Sequence, residues 1–275
     1  MRTLWRTRLV CLGVLLAAGC LSTRQPVPPC GCTSPNADVV FVADGSGDYR
    51  TTSRVLCETV NACNVPLRVE TFVWSHGYSR MLIDHVDHCN HIEEGRRLAT
   101  YVATASIPTQ CVAARGCAPP AQAGGTCENP RGVYLVGHSS GCAVVLAAAE
   151  ASPPGSIERI VLLAPAVAHD YDLRPALRAS RQGIDAFISR RDIGALALGT
   201  GIAGTADRRL AAASGRVGFT PILCCPGDEQ LYTKLRVHPW DPSVEWTGNR
   251  GNHYGTLEPD FMRAYILPLL RRAPY

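Results

Sequence analysis

With 275 residues, 46% of them hydrophobic and 18% charged, the chain can bury the core of one large domain and is too apolar to be disordered. Its net charge of +4 is spread over 27 basic and 23 acidic residues, with no basic tract interleaved with aromatics. That pattern excludes an obvious nucleic-acid interface.

The chain begins MRTLWRTRLVCLGVLLAAGC, with arginines at 2, 6 and 8 before an apolar run over 9–18. The run falls short of the roughly 20 apolar residues that span a bilayer and reads as the core of a signal peptide. Its ending, Ala17-Ala18-Gly19-Cys20, resembles a bacterial lipobox, which implies cleavage before Cys20, lipidation of that cysteine and membrane anchoring. Residues 1–19 are therefore expected to be a lipoprotein-type signal, 20–36 a Ser/Thr/Pro-rich tether and 37–275 the folded domain. An ordinary signal peptide, giving a secreted protein, is the alternative. The 13 cysteines fit an exported chain, and an odd number remains once Cys11 and Cys20 are set aside. Cys111, Cys117 and Cys127 lie in a Pro/Gly-rich loop, whereas Cys142 falls in an apolar helix and reads as a small buried residue.

Beyond the tether, strands and helices alternate. ADVVFVA (37–43) predicts a buried strand, TTSRVLCETVN a helix with a threonine cap, LRVETFVW (67–74) a strand and EEGRRLATYVATA (93–105) a helix. After a loop over about 107–132, GVYLVG predicts a strand and CAVVLAAAEA a helix. IERIVLLAPAV (157–167) and GIDAFISRRD (183–192) predict two more strands, with TPILCC, TKLRVHPW and SVEWTG as weaker candidates. A helix interrupted by Pro268 closes the chain. Such alternation predicts an α/β fold: an open, doubly wound, mostly parallel sheet of about eight strands, with sites at the C-terminal strand ends.

One of those ends carries the chemistry. Gly137-His138-Ser139-Ser140-Gly141 fits G-x-S-x-G between an apolar strand and an apolar helix, the setting that holds a serine hydroxyl out on a tight turn. A serine needs a base, and the base an orienting acid. The histidines downstream are His169, His238 and His253; His253 lies in a Gly/Asn loop directly before the last helix and is the expected base. Asp192, closing the IDAFISRRD strand, is the preferred acid over Asp228 in CCPGDEQ and Asp207 in GTADRR. An oxyanion hole requires two backbone N–H donors. Ser140 is expected to give one, and Ser46 or Gly45 of the Asp44-Gly45-Ser46-Gly47 loop the other, with His76-Gly77 one strand later as the alternative. The DHVDHCNH segment (84–91) has metal-ligand spacing if helical, but lies in a polar connection; no metal and no cofactor is assigned.

Together these residues resemble the α/β-hydrolase superfamily, and the fragments TFVWSHGYSRMLIDH, VYLVGHSSG, LLAPAVAHDYDLRPAL, FISRRD and GNRGNHYG resemble a planctomycete-type bacterial group within it. The resemblance implies a sheet of about eight strands and Ser-His-Asp catalysis at Ser139, His253 and Asp192. Asp44 stands where many members have a histidine before the oxyanion glycine. The implied activity is hydrolysis of a small-molecule or lipid ester through an acyl-enzyme. The alternatives are a membrane-surface lipase and a catalytically silent binding module at the cell surface. Acyl specificity and oligomeric state are not read from the sequence.

Overall fold

The computed structural model describes residues 26–34, 37–106, 131–192 and 205–271. The signal segment, Cys20 and the loop bearing Cys111, Cys117 and Cys127 lie outside the described residues. The described strands are β1 (Cys30–Gly31), β2 (Asp38–Ala43), β3 (Leu67–Thr71), β4 (Val133–His138), β5 (Arg159–Leu163), β6 (Ile184–Ile188) and β7 (Leu235–Pro239). They form one sheet in the order β1-β3-β2-β4-β5-β6-β7, parallel throughout except for β1. The fold is thus α/β and doubly wound as expected, with seven strands where about eight were expected.

The strands read as continuous Val/Ile/Leu runs because both faces of the sheet are covered. Along β2, Val39 and Phe41 point into one core and Val40 and Val42 into the other; Leu135 and Val136 divide the same way on β4. The first core is roofed by α3 (His88–Ala105), α4 (Gly141–Glu150) and α5 (Arg174–Ala179), following α1 (Thr51–Ala62) and α2 (Met81–Val86) in the chain. The second lies under α1 and the C-terminal segment Pro259–Leu270. α4 sits over the middle of the sheet, and every residue from Gly141 to Ala149 is buried. That explains why it is apolar on all sides rather than amphipathic.

Several local expectations change. TPILCC forms no strand, and SVEWTG falls in a 3₁₀ turn, Pro242–Thr247, begun by Pro242 and capped by the Asp241 side chain on Ser243 N–H. TKLRVHPW supplies the edge strand β7. The closing helix is a succession of α, π and 3₁₀ turns, since Pro268 has no N–H to continue an α-helical ladder. No threonine side chain caps α1; the Asp44 carboxylate does so from the end of β2. The DHVDHCNH segment is helical, split between α2 and α3 at Asp87. The segment read as a tether meets the domain at Cys30–Gly31, which pair with Val69 and Arg68, and Cys30 is disulfide-bonded to Cys57 on α1.

The Cys30–Cys57 bridge closes a loop of 27 residues, for which chain entropy predicts about 3.5 kcal/mol of stabilisation. The Cys30→Ser/Cys57→Ser variant is expected to melt roughly 5–10 °C lower in differential scanning calorimetry.

Candidate active site

Ser139 occupies the turn between β4 and α4 with φ 54°, a left-handed conformation that disfavours residues other than glycine. Its geometry is imposed by packing. A methyl group at Gly141 would lie 2.2 Å from the carbonyl oxygen of Ala43 and 2.4 Å from that of Asp44; at Gly137 it would meet Val145 Cγ2 at 2.4 Å. The helix can therefore start against β2 only if both flanking residues are glycine. The turn is pinned by Ser139 N–H donating to Leu163 O at 3.0 Å and by Cys142 and Ala166 N–H donating to Ser139 O. His138 and Ser140 are buried while Ser139 between them is partly exposed.

His253 and Asp192, 61 positions apart, come together: His253 Nδ1 lies 2.6 Å from Asp192 Oδ2, and both side chains are almost wholly buried. Asp192 follows β6, two strands from β4, and His253 lies in the loop leading into the C-terminal segment. Neither Arg190 nor Arg191 takes the Asp192 carboxylate; Arg191 instead stacks over the Trp240 ring and pairs with Glu245. The other acid candidates are occupied elsewhere. Asp207 accepts from Ala168 N–H at 2.9 Å, and Asp228 from Cys224 N–H, Cys225 N–H and Arg174. His238 pairs with Asp185, and His169 with Thr220.

His138 joins the two halves. Its ring lies 4.9 Å from that of His253, centroid to centroid, and its Nε2 is 3.1 Å from His253 O. Burial, then the charge of His253, pushes its pKa down to about 3, so it stays neutral and donates to that carbonyl. It fixes the backbone that carries the His253 ring.

The Asp44–Gly47 loop lies against the same turn. A methyl at Gly45 would be 3.0 Å from His138 Nδ1 and 3.4 Å from Ser139 Cβ, and Ser46 Oγ donates to Ser140 Oγ at 3.0 Å. Among the described residues no acceptor takes the backbone N–H of Gly45, Ser46 or Ser140. Two buried carboxylates shape this loop. Asp44 accepts from Thr52 N–H, Ser53 N–H and Ser53 Oγ; burial raises its pKa, with the Ser53 and Thr52 hydrogen bonds opposing. Asp84 accepts from Gly47 N–H at 2.7 Å, His76 N–H at 2.7 Å and Ser75 Oγ at 2.5 Å. His76, in the alternative donor loop, is thereby held by Asp84 and Asp87.

Sequence reasoning missed the role of His85, whose Nδ1 lies 3.0 Å from Ser140 Oγ. Its spacing from Asp84, His88 and His91 suggested only metal ligands. Two of these groups are occupied: both His91 ring nitrogens face carbonyl oxygens, those of Asp84 and Ala206, and Asp84 binds backbone. Cys224, Cys225 and Asp228 also bring three potential metal-binding atoms within 4.8 Å. There the Arg174 guanidinium contacts both Cys224 Sγ and Asp228, placing a positive charge against any cation.

This chain's path resembles several solved hydrolase structures at low identity. A lipase-esterase related protein from Clostridium acetobutylicum is 10% identical, with 89% of this chain and 98% of that one covered and a TM-score of 0.47. Est1E from Butyrivibrio proteoclasticus is 12% identical, with 89% and 93% covered and a TM-score of 0.44. A CIB-like hydrolase from Thermoplasma acidophilum is 15% identical, with 86% and 88% covered and a TM-score of 0.44. No protein-family model and no curated protein matches the sequence.

His138 gives a pH test of the packing. Its pKa is about 3 folded against about 6.5 unfolded, so between those values only the unfolded state takes the proton. The stability it contributes is complete above pH 6.5 and falls with pH toward 3, by at most about 1.4 kcal/mol per unit. In urea titrations the slope of stability against pH over this window is expected to be shallower for His138→Gln than for the wild type.

Proposed function

We propose that this chain is a serine hydrolase that cleaves carboxylic esters, with Ser139 as nucleophile, His253 as base and Asp192 as the acid that orients it. The observation that carries this reading is the buried 2.6 Å contact between His253 Nδ1 and Asp192 Oδ2, whose histidine packs against His138, the residue before a serine held in a left-handed turn. With Nδ1–H donated to Asp192, the neutral imidazole presents Nε2 as the proton acceptor.

Ser139 Oγ attacks the ester carbonyl as its proton passes to His253 Nε2. The negative charge that develops on the carbonyl oxygen is met by the N–H of Ser140, at the start of α4, and that of Gly45 or Ser46. Collapse of the intermediate breaks the bond to the alcohol oxygen, which leaves with the proton from His253. Water, deprotonated by the same imidazole, then adds to the acyl-enzyme, and its collapse returns the proton to Ser139. No cofactor enters these steps. Two glycines in the Asp44–Gly47 loop let the backbone approach the oxyanion without side-chain obstruction, which a histidine before the glycine is not needed to achieve.

The reading extends to location. The lipobox-like ending at Cys20 and the disulfide Cys30–Cys57 both suit an exported protein anchored by lipidated Cys20, with the domain held close to the membrane. Among the described residues no helix is long and apolar enough to cross a membrane. The resemblance to a planctomycete-type group supplies no substrate.

A fluorophosphonate probe is expected to label Ser139 in the wild type and to leave Ser139→Ala unlabelled, read by peptide mass spectrometry. Ser139→Ala is expected to lower kcat on p-nitrophenyl esters by roughly 10⁴-fold or more, and Asp192→Asn by roughly 10⁴-fold, since the amide no longer fixes the imidazole tautomer. An unlabelled wild type without turnover would instead support the catalytically silent binding module.

A further inference from the structure

A group of exposed apolar side chains stands beside the candidate oxyanion loop. Among the described residues twelve large hydrophobic side chains are exposed, and five of them, Tyr49, Tyr78, Met81, Leu82 and Ile83, are gathered here; the other seven come from seven separate segments. Tyr78 is 75% exposed and Leu82 70%, values that isolated surface residues often show but a contiguous group seldom does.

The group is held together and held to the site. The Tyr49 and Tyr78 rings meet edge to face at 5.3 Å, and Tyr49 Oη lies 3.7 Å from Met81 Sδ. Tyr49 and Met81 close over Gly47, where a methyl would sit 2.6 Å from the tyrosine ring and 2.9 Å from Met81 Cγ. Ser79 N–H donates to Gly47 O, and the Asp84 carboxylate accepts from Gly47 N–H. On α2, Met81 and Leu82 precede His85 by four and three residues and so share its side of the helix, and His85 reaches the hydroxyl of Ser140 at 3.0 Å. An apolar path thus runs outward from the oxyanion donors along α2. Its one charged residue over 78–83 is Arg80, and the neighbouring Asp84 is turned inward and buried. A surface next to a reactive centre, apolar and with its flanking anion Asp48 ion-paired to Arg50, suits an uncharged hydrocarbon chain.

We propose that Tyr49, Tyr78, Met81 and Leu82 form the acyl-chain platform of this site, and that its substrates are esters of medium or long linear fatty acids. The proposal rests on the serine-hydrolase reading. With the carbonyl oxygen at the Gly45/Ser46 and Ser140 N–H groups, the acyl carbons continue over Gly47 and along α2, each methylene gaining contact as it leaves water.

The test measures kcat/KM of the full chain on p-nitrophenyl acetate, butyrate, octanoate and decanoate below their micellar concentrations. The wild type is expected to favour decanoate over acetate by more than tenfold, and Tyr78→Ser/Leu82→Ser to lower that ratio about tenfold. Both residues are exposed, so folding is preserved and is checked by thermal melting. A wild type that prefers acetate, or a variant that slows every ester equally, overturns the proposal. So does Trp240→Ala shifting the ratio in place of the double variant, which would put the chain in the cavity of about 250 Å³ lined by Phe187, Val237, Trp240, Phe261 and Tyr265. If the double variant changes only vesicle flotation or the sedimenting mass, with the ratio intact, the patch is a membrane or self-association surface and the proposal fails. Failure of the underlying reading has a separate signature, because Ser139→Ala would then retain turnover on all four esters.

Discussion

The closeness of α4 to the end of β2 governs this molecule. With Ala43 O and Asp44 O about where a Cβ of residue 141 would stand, the helix fits only if the chain leaves β4 through a left-handed residue and enters the helix through glycine. That residue is Ser139. The strain of a non-glycine residue at φ 54°, typically of order 1–2 kcal/mol, is sustained because a fully buried helix and four central strands fix both ends of the turn. The core does more than stabilise the fold: it determines where one hydroxyl points.

Around that turn, charge is used to hold backbone. Asp44 binds the first N–H groups of α1, and Asp84 binds Gly47, Ser75 and His76, so the loop between them is gripped from both ends by buried carboxylates. A buried carboxylate is costly unless its oxygens are hydrogen-bonded, and both are well supplied. The loop they hold lies against Ser139, a methyl at Gly45 standing 3.4 Å from Ser139 Cβ. Asp192 and His253 repeat the principle on the other side, a buried acid fixing the orientation of a ring.

What was legible in the sequence was local geometry: the strand, turn and helix around Ser139 are contiguous, and the contact between His253 and Asp192 was expected from chain order relative to strands with clear apolar runs. The contacts of Asp84 and His85 were not legible. They depend on how α2 turns against the Asp44 loop, and a helix of six residues with exposed Leu82 and Ile83 has no periodicity to reveal its inner face. β1 was equally hidden: two residues in a proline-rich stretch become a strand only because β3 offers an open edge. The weak strand at SVEWTG failed for a local reason, Pro242 and the Asp241 cap favouring a 3₁₀ turn over extended chain.

The disulfide between Cys30 and Cys57 has a mechanical meaning. β1 contributes only two paired residues, too few hydrogen bonds to resist a tug on the N-terminal end. The covalent bridge passes any such load directly to α1, whose N-terminus is gripped by Asp44 at the tip of a central strand. Force applied on the N-terminal side of Cys30 is therefore borne by the middle of the sheet, and the two-residue edge strand is spared from being peeled away.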